Sequence, residues 1–166
     1  MLATIGYEKS TPENFVATLQ ACQIDILVDI RERAQSRRPG FSKTALSKAM
    51  TEAGIQYIHL RELGDPKAGR EAARAGMIER FKIIFSEVLS SEPAQMALST
   101  IEELARSKRI CLMCYERDHR YCHRKIVADH LEVSLGCESV HLGVERREPE
   151  KLGKRRKFHT RQSAAA

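Results

Sequence analysis

A chain of 166 residues suits one domain, which would bury about two thirds of its unfolded surface around a single core. Its net charge of +6 lies in the segment after Glu150, where six bases and no acid occur, so that 22 bases and 22 acids remain in the body. No apolar run approaches the roughly 18 residues of a membrane span, which excludes a membrane protein. Five scattered cysteines are an odd number and do not form the disulfide framework of a small secreted scaffold. We therefore expect a cytoplasmic protein with reduced thiols.

Along the chain, short apolar runs alternate with segments of helical periodicity. Thr11 and Pro12 form an N-cap and first-turn pair for a helix with an apolar face at Phe15, Leu19 and Cys22. Glycines 54 and 136 are placed to end two later helices. The predicted strands are 2–6, 25–30, 56–60, 109–115 and 139–144, and the predicted later helices are 42–53, 71–89, a helix to 104 after a break at Pro93, and 122–135.

This alternation of strand and helix, repeated about five times, predicts an α/β fold. We expect a single three-layer domain with a mostly parallel sheet of about five strands flanked by helices. The domain is assigned to residues 1–147. The basic segment 148–166 has no apolar period, so it is predicted to be a disordered tail that either solubilises the chain or contacts nucleic acid.

Four polar loops follow predicted strands. In an open parallel sheet, ligands bind beyond the carboxyl ends of the strands, where these loops meet. Loops that lead back from helices to strands, such as AGIQ and GCES, carry much less polar chemistry. We therefore predict a site at the carboxyl edge of the sheet. The four loops are GYEKS at 6–10, DIRERAQSRRPGF at 29–41, HLRELGDPKAG at 59–69 and CYERDHRYCHR at 114–124.

Four segments carry a resemblance to a known family. TIGYEKSTPENF, LVDIRERAQSRRPGFS, GIQYIHLRELG and CLMCYERDHRYCHRKIVADHL, in this order, resemble the domain of unknown function 488 family over residues 2–144. The resemblance implies no activity, because the family carries no settled one. Tyr115 and His119 depart from its pattern, which usually has an alanine and a proline-containing turn there. The residues at its motif positions are Tyr7, Asp29, Arg31, Arg38, Pro39, Phe41, Cys114, Glu116, Cys122, His123 and Arg124.

The last motif supplies the candidate catalytic residues Cys114, Glu116, Cys122 and His123. Cys114 ends a strand at the predicted edge, where a core thiol and a site thiol are both plausible. Cys122 begins a helix, where free N–H groups, the helix dipole and the bases at 123 and 124 would lower its pKa and make it reactive. Glu116 would act as an acid or base if burial raised its pKa.

A metal site is an alternative for the same motif. Zinc would use Cys111, Cys114, Cys122 and His123, but residues three apart on a strand point to opposite faces. We therefore predict neither metal nor cofactor, with Cys111 as a small core residue.

The ligand-binding candidates centre on the second loop. Arg37 and Arg38 offer forked donors to a phosphate, and Phe41, if exposed, would stack on a base; alternatively Phe41 packs in the core. Asp29 and Arg31 point to one face, so they either pair with each other or present Arg31 to a ligand while the carboxylate acts as acid or base.

Two further residues complete the ligand-binding set. Arg124 at a helix start either binds the ligand anion or pairs with Asp118 or Glu116 in a structural network. Tyr7 is included because the family resemblance places it in the first motif.

These residues lead to a functional hypothesis with two alternatives. We expect a pocket for a phosphorylated ligand, a nucleotide or nucleic acid, with Cys, His and carboxylate chemistry beside it. The first alternative is a nucleic-acid-binding module without catalysis. The second rests on fainter resemblances to rhodanese sulfurtransferases and cysteine phosphatases, with Cys114 as nucleophile, although the glycine-free loop CYERDHR sets two acids beside any such anion. The expected partner is an anionic small molecule or a nucleic acid. We expect no interaction with a membrane.

Overall fold

The structure, a computed structural model, describes residues 1–144 and contains one five-stranded sheet with six α-helices. The basic segment 148–166 and the predicted domain end at 147 lie outside the described residues. The strands are β1 (Leu2–Gly6), β2 (Ile26–Asp29), β3 (Gln56–His59), β4 (Ile110–Cys114) and β5 (Val140–Leu142). The helices are α1 (Pro12–Ala21), α2 (Lys43–Glu52), α3 (Lys67–Arg74), α4 (Ile78–Leu89), α5 (Glu92–Ala105) and α6 (His123–Leu135).

The sheet has the strand order β3-β2-β4-β1-β5, and every neighbouring pair is parallel. This confirms the predicted α/β domain. Helices α1 and α2 pack on one face through an apolar cluster that contains Phe15 and Met50, whereas α3 to α6 cover the other face. Loops from neighbouring strands β3, β2, β4 and β1 therefore lead to alternating faces, which opens crevices at the carboxyl edge.

Local sequence signals place the start of α1 and the end of α6. Thr11 caps α1 by accepting a hydrogen bond from the Asn14 N–H at 3.3 Å, and Pro12 occupies the first turn. Gly136 ends α6 with φ of 62°, a left-handed conformation that glycine adopts without a Cβ clash.

The predicted helical segment 71–89 is wrong in one respect, because it contains parts of two helices. Helix α3 begins at Lys67 and ends at Arg74, and α4 starts at Ile78. Between them, Gly76 has φ of 72°, which breaks the helical path. The predicted break before the next helix is present, but it lies at residues 90 and 91 and not at Pro93. Ser91 caps α5, and Pro93 lies in the first turn of that helix, where its missing N–H is not needed.

Burial is continuous along the central strands. Strands β1, β2 and β4 are buried at every position, which explains why their sequences lack an alternating pattern. In the part of the chain that the structure describes, no helix combines the length and apolarity needed to cross a bilayer. The polar residues that follow these buried strands are thereby held at one edge.

Candidate functional site

A cavity of about 1000 Å³ opens at the carboxyl edge of the sheet, where the sequence predicted a site. Its walls come from the loops after β1, β2 and β3, from the end of β4 and the residues after it, and from α3 and the first residue of α6. Six arginines and three acids line it, so the wall is cationic. The lining residues are Tyr7, Arg31, Glu32, Arg33, Gln35, Ser36, Arg37, Arg38, Asp65, Arg70, Arg74, Cys114, Tyr115, Glu116 and His123.

Asp29 and Arg31 form a buried ion pair with each other, which was one of the two predicted alternatives. The Arg31 Nε and Nη2 atoms donate to the two Asp29 carboxylate oxygens at 2.8 and 2.6 Å. The Tyr57 hydroxyl donates to Asp29 Oδ2 at 2.6 Å, and Arg31 Nη1 donates to the Tyr7 hydroxyl at 2.9 Å. Asp29 is fully buried and does not line the cavity, so its carboxylate holds Arg31 in place.

The electrostatics of this pair follow from its contacts. Burial by itself would lower the pKa of Arg31, but the hydrogen bonds and charge of Asp29 raise it above its ordinary value. Burial and the Asp29 charge likewise raise the pKa of Tyr57. Arg31 and Tyr57 therefore keep their protons at neutral pH and remain hydrogen-bond donors to Asp29.

The second loop brings more positive charge to the cavity than its own contacts neutralise. Arg33 and Arg37 are exposed and form no salt bridge within residues 1–144. Arg38 donates to the Ser10 carbonyl at 2.5 Å, while its buried Nε lacks a partner among the described residues. From α3, the exposed Arg74 adds a further unpaired cation in the described chain. Sequence reasoning named Arg37 and Arg38 and missed Arg33 and Arg74.

The prediction that Phe41 is an exposed aromatic residue is wrong. Its side chain is fully buried in the core, where its ring stacks on Tyr7 at 4.4 Å between centroids and meets Phe15 edge-on. An exposed aromatic does line the cavity, but it is Tyr115, which is 42% exposed and lies edge-on to Tyr7 at 5.3 Å. The departure from the family pattern at position 115 was the sequence signal for it.

The four predicted catalytic residues come together at the floor of the cavity. Cys114 Sγ donates to Glu116 Oε2 at 3.3 Å and lies 3.7 Å from His123 Nδ1. Cys122 Sγ lies 4.0 Å from the same nitrogen. The other ring nitrogen, Nε2, donates to the Ile30 carbonyl at 2.9 Å, which fixes the imidazole orientation. Cys114, Glu116 and His123 line the cavity, and Cys122 lies behind them.

The predicted low pKa of Cys122 is wrong. Burial, followed by the adjacent Cys114, raises its pKa well above the ordinary value, and these effects exceed the opposing charge of His123. The pKa of Cys114 is raised too: a hydrogen bond with Cys122 acts to lower it, but burial and Glu116 prevail. The helix dipole does not compensate for the loss of water around a thiol that is 3% exposed.

Glu116 and His123 form the charged part of this cluster. Burial would raise the pKa of Glu116, but the Cys122 hydrogen bond and the His123 charge keep it lowered, contrary to the predicted rise. Burial would lower the pKa of His123, but Cys122, Ile30 and Glu116 raise it to about 9. At neutral pH the directions of these shifts favour a protonated His123 and an ionised Glu116.

Arg124 does not line the cavity, so its prediction as a ligand-binding residue is wrong. Its guanidinium, in a side chain that is 1% exposed, donates to the backbone carbonyls of Glu116 and Arg117. The predicted carboxylate partners do not pair with it, because Asp118 binds Arg120 at 2.6 Å instead. Arg124 therefore closes the loop between β4 and α6 from inside.

Asp65 is a cavity residue that sequence reasoning read only as a turn. It is 7% exposed, and its Oδ1 atom has no hydrogen-bond partner among the described residues. Burial raises its pKa to about 6, and Glu116 and Glu32 add to the rise. His123 and Arg70 act in the opposite direction. The raised carboxyl pKa expected of Glu116 is therefore found at Asp65.

We expect Asp65→Asn to stabilise the protein at neutral pH and not in acid. The folded pKa of about 6 exceeds the ordinary 3.8, so the unfolded chain ionises first as the pH rises. The wild type then loses stability between about pH 4 and pH 6 and keeps that penalty above it, whereas the variant does not. The gain should be on the order of 1 kcal/mol.

Urea unfolding of both proteins at several pH values measures this difference. Glu62→Gln, an exposed change in the same loop, is the control and should show no pH-dependent gain. An Asp65→Asn stability difference that stays constant from pH 4 to pH 8 would contradict the shifted carboxyl.

Comparison with known proteins places the chain in a family. The family described as "Domain of unknown function DUF488" matches residues 11–131, a range that includes the second loop, Asp65 and the Cys–His cluster. No curated protein and no solved structure matches the chain. Because the match covers more than half of the sequence, the chain belongs to the DUF488 family.

Proposed function

We propose that the cavity binds the phosphate groups of a nucleotide or of a nucleic acid. The observation that carries the proposal is the excess of arginine on the wall: six arginines and three acids line it, and only Arg31 is paired with an acid behind the wall, Asp29. Arginine offers paired N–H donors in a fixed fork that matches phosphate oxygens. An anionic ligand would balance charges that the described residues leave unpaired.

Two of the three acids on the wall are already engaged by other side chains, which leaves an excess of arginine available. Glu32 pairs with Arg70 at 2.6 Å, and Glu116 accepts from Cys114 inside the floor cluster. Asp65, with a pKa of about 6, is mostly ionised at pH 7 and offsets only one of the arginines. In contrast, Arg33, Arg37 and Arg74 have no acidic partner in the described part of the chain.

The size and aromatic content of the cavity favour a nucleotide over a bare anion. Small-molecule sites occupy about 300 to 1000 Å³, and this cavity lies at the upper end of that range. Tyr115 offers an exposed ring at the wall, and base stacking on such a ring contributes about 1 to 3 kcal/mol per base. A phosphate at the arginines and a base at Tyr115 would use both features.

The alternatives with Cys114 as nucleophile are less well supported. Sulfurtransferase and phosphatase loops converge backbone N–H groups on the anion. Here the Arg117 N–H donates to Glu8, the Arg120 N–H to Asp118 and the Cys122 N–H to the His119 carbonyl. Cys114 is also 5% exposed, with a raised pKa.

Calorimetric titration with ADP tests the proposal. The double variant Arg33→Ala/Arg37→Ala should weaken ADP binding at least tenfold, because each charge-assisted hydrogen bond contributes about 1.5 to 3 kcal/mol. The control, Arg80→Ala/Arg106→Ala, removes two exposed arginines away from the cavity and should leave the affinity within about twofold.

A second titration separates the two ligand sources. The ligand is a nucleic acid if a labelled single-stranded oligonucleotide binds the wild type and not the double variant Arg33→Ala/Arg37→Ala. The logarithm of its affinity should then fall with the logarithm of the salt concentration, with a slope of about −0.7 per neutralised phosphate. ADP binding without oligonucleotide binding would identify a nucleotide. The proposal fails if both ligands bind the double variant as tightly as they bind the wild type. It also fails if neither ligand binds the wild type.

A further inference from the structure

Three buried side chains at the cavity floor present metal-ligating atoms to one point. The sulfur atoms of Cys114 and Cys122 and a ring nitrogen of His123 all lie within 4.8 Å of one another. All three residues are at most 5% exposed. Two thiols and an imidazole form a donor set that suits zinc among the common biological divalent ions.

The two sulfur–nitrogen distances are close to those between ligands of a tetrahedral ion. With bonds of about 2.3 Å to sulfur and 2.1 Å to nitrogen or oxygen, tetrahedral ligands of different elements are about 3.6 Å apart. Cys114 Sγ lies 3.7 Å from His123 Nδ1, and Cys122 Sγ lies 4.0 Å from it. Glu116 Oε2 lies 3.3 Å from Cys114 Sγ but not within 4.8 Å of all three atoms, so a rotation of its side chain is needed to bring it in as a fourth donor.

The surroundings of His123 are an independent sign of ligation. Histidine ligands almost always donate their other ring N–H to a carbonyl or carboxylate, which leaves the ligating nitrogen facing the ion. His123 does this through Nε2, which donates to the Ile30 carbonyl at 2.9 Å, while Nδ1 faces the two sulfurs. The Phe85 ring packs against the imidazole at 5.2 Å between centroids and shields it from water.

The ligands are also held by regular structure. Cys114 is the last residue of β4, Cys122 is the N-cap of α6, and His123 is the first residue of that helix. Such positions allow little motion, so the set is formed before an ion arrives. The argument against zinc from sequence included Cys111, which the structure places in the apolar cluster on the α1 and α2 face. The remaining set does not need it.

We propose that Cys114, Cys122 and His123, with Glu116 as the fourth ligand, bind one Zn²⁺ ion at the floor of the cavity. On binding, the two thiols and the His123 Nδ1–H release their protons to solvent, and His123 Nδ1 and a Glu116 oxygen then donate electron pairs to the ion. The ion cross-links β4, the following loop and α6, and it fixes Glu116 in the cavity wall. The site requires no phosphorylated ligand, so it stands apart from the function proposed above.

Titration of the reduced full-length protein with Co²⁺ under anaerobic conditions tests this site. Co²⁺ reports thiolate ligation by charge-transfer absorption and tetrahedral geometry by intense visible bands. We expect both signals to saturate at one equivalent and to disappear when Zn²⁺ is added. Absence of a thiolate band, or bands that Zn²⁺ does not displace, would overturn the proposal.

Variants assign the ligands. Cys122→Ser and Glu116→Gln should each weaken Co²⁺ binding at least tenfold, and only Cys122→Ser should reduce the thiolate band. Cys137→Ser is the matched control, because this exposed cysteine lies outside the cluster. Unchanged binding in Cys122→Ser would overturn the site, and unchanged binding in Glu116→Gln would overturn the fourth ligand. If a variant does not fold, the metal site is tested on the wild type by its midpoint of thermal unfolding. The midpoint must rise when Zn²⁺ is added and fall when a chelator removes the ion.

Discussion

Asp29→Asn is expected to destabilise the fold by about 3 to 5 kcal/mol, the range observed when one partner of a buried ion pair is removed. The change leaves the Arg31 guanidinium, which is 6% exposed, without its counter-charge. It also disturbs the hydrogen bond from the Tyr57 hydroxyl. The carboxylate joins β2 to Arg31 and to β3, so the loss affects the edge that carries the cavity.

Urea unfolding of the variant and of Glu52→Gln measures this loss. Glu52 forms an exposed pair with Lys48 at 3.9 Å, and its removal should cost less than about 0.5 kcal/mol. An Asp29→Asn protein as stable as the wild type, but deficient in ADP binding, would instead return Asp29 to the ligand-binding role that the sequence left open.

Gly6→Ala is expected to have the second large effect, of about 3 kcal/mol or more. A Cβ atom at Gly6 would lie 1.8 Å from the carbonyl oxygen of Glu116 and 2.6 Å from its carbonyl carbon. Both are backbone atoms of a loop that Arg124 also holds, so neither can move by a simple side-chain rotation. Overpacking typically costs 1 to 3 kcal/mol, and a clash with backbone lies at or above that range.

Gly143→Ala is the matched control, because a Cβ atom there meets nothing within 4 Å. The two variants should differ by several degrees or more in the midpoint of thermal unfolding. Gly6→Ala should also reduce Co²⁺ affinity, since the displaced loop carries Glu116. If Gly6→Ala matches the control in both measurements, the close approach of β1 to this loop is incorrect.

The fold was largely predictable because its signals are local. Buried parallel strands appear as continuous apolar runs, as in β2 and β4, and caps such as Thr11 and Gly136 depend on residues close in sequence. The order of the strands was beyond these signals, since it depends on contacts between distant residues. The break at Gly76 was missed because a glycine inside a periodic segment is compatible with a kink, a cap or an uninterrupted helix.

The position of the cavity was predicted, but its lining only in part. Strand ends fix which loops meet, so Arg37, Arg38, Cys114 and His123 were found. Side-chain direction inside an irregular loop has no period, which is why the sequence could not decide that Phe41 points inward.

Burial decided the remaining differences. The helix start at Cys122 suggested a lowered pKa, but desolvation has the opposite sign and is larger at a buried thiol. The same effect raised the pKa of Asp65, whose neighbours in sequence gave no sign of burial. Arg124 was ambiguous for a related reason, because a base at a helix start is suited either to a ligand anion or to internal carbonyls.

A crystal structure of the protein, from crystals grown with saturating ADP, tests most directly whether the cavity binds the phosphates of a nucleotide. The account predicts density for the diphosphate between the loop that carries Arg33 and Arg37 and the end of α3 at Arg74, with the base near Tyr115. An empty cavity under these conditions, or ADP ordered only at another surface, would contradict it.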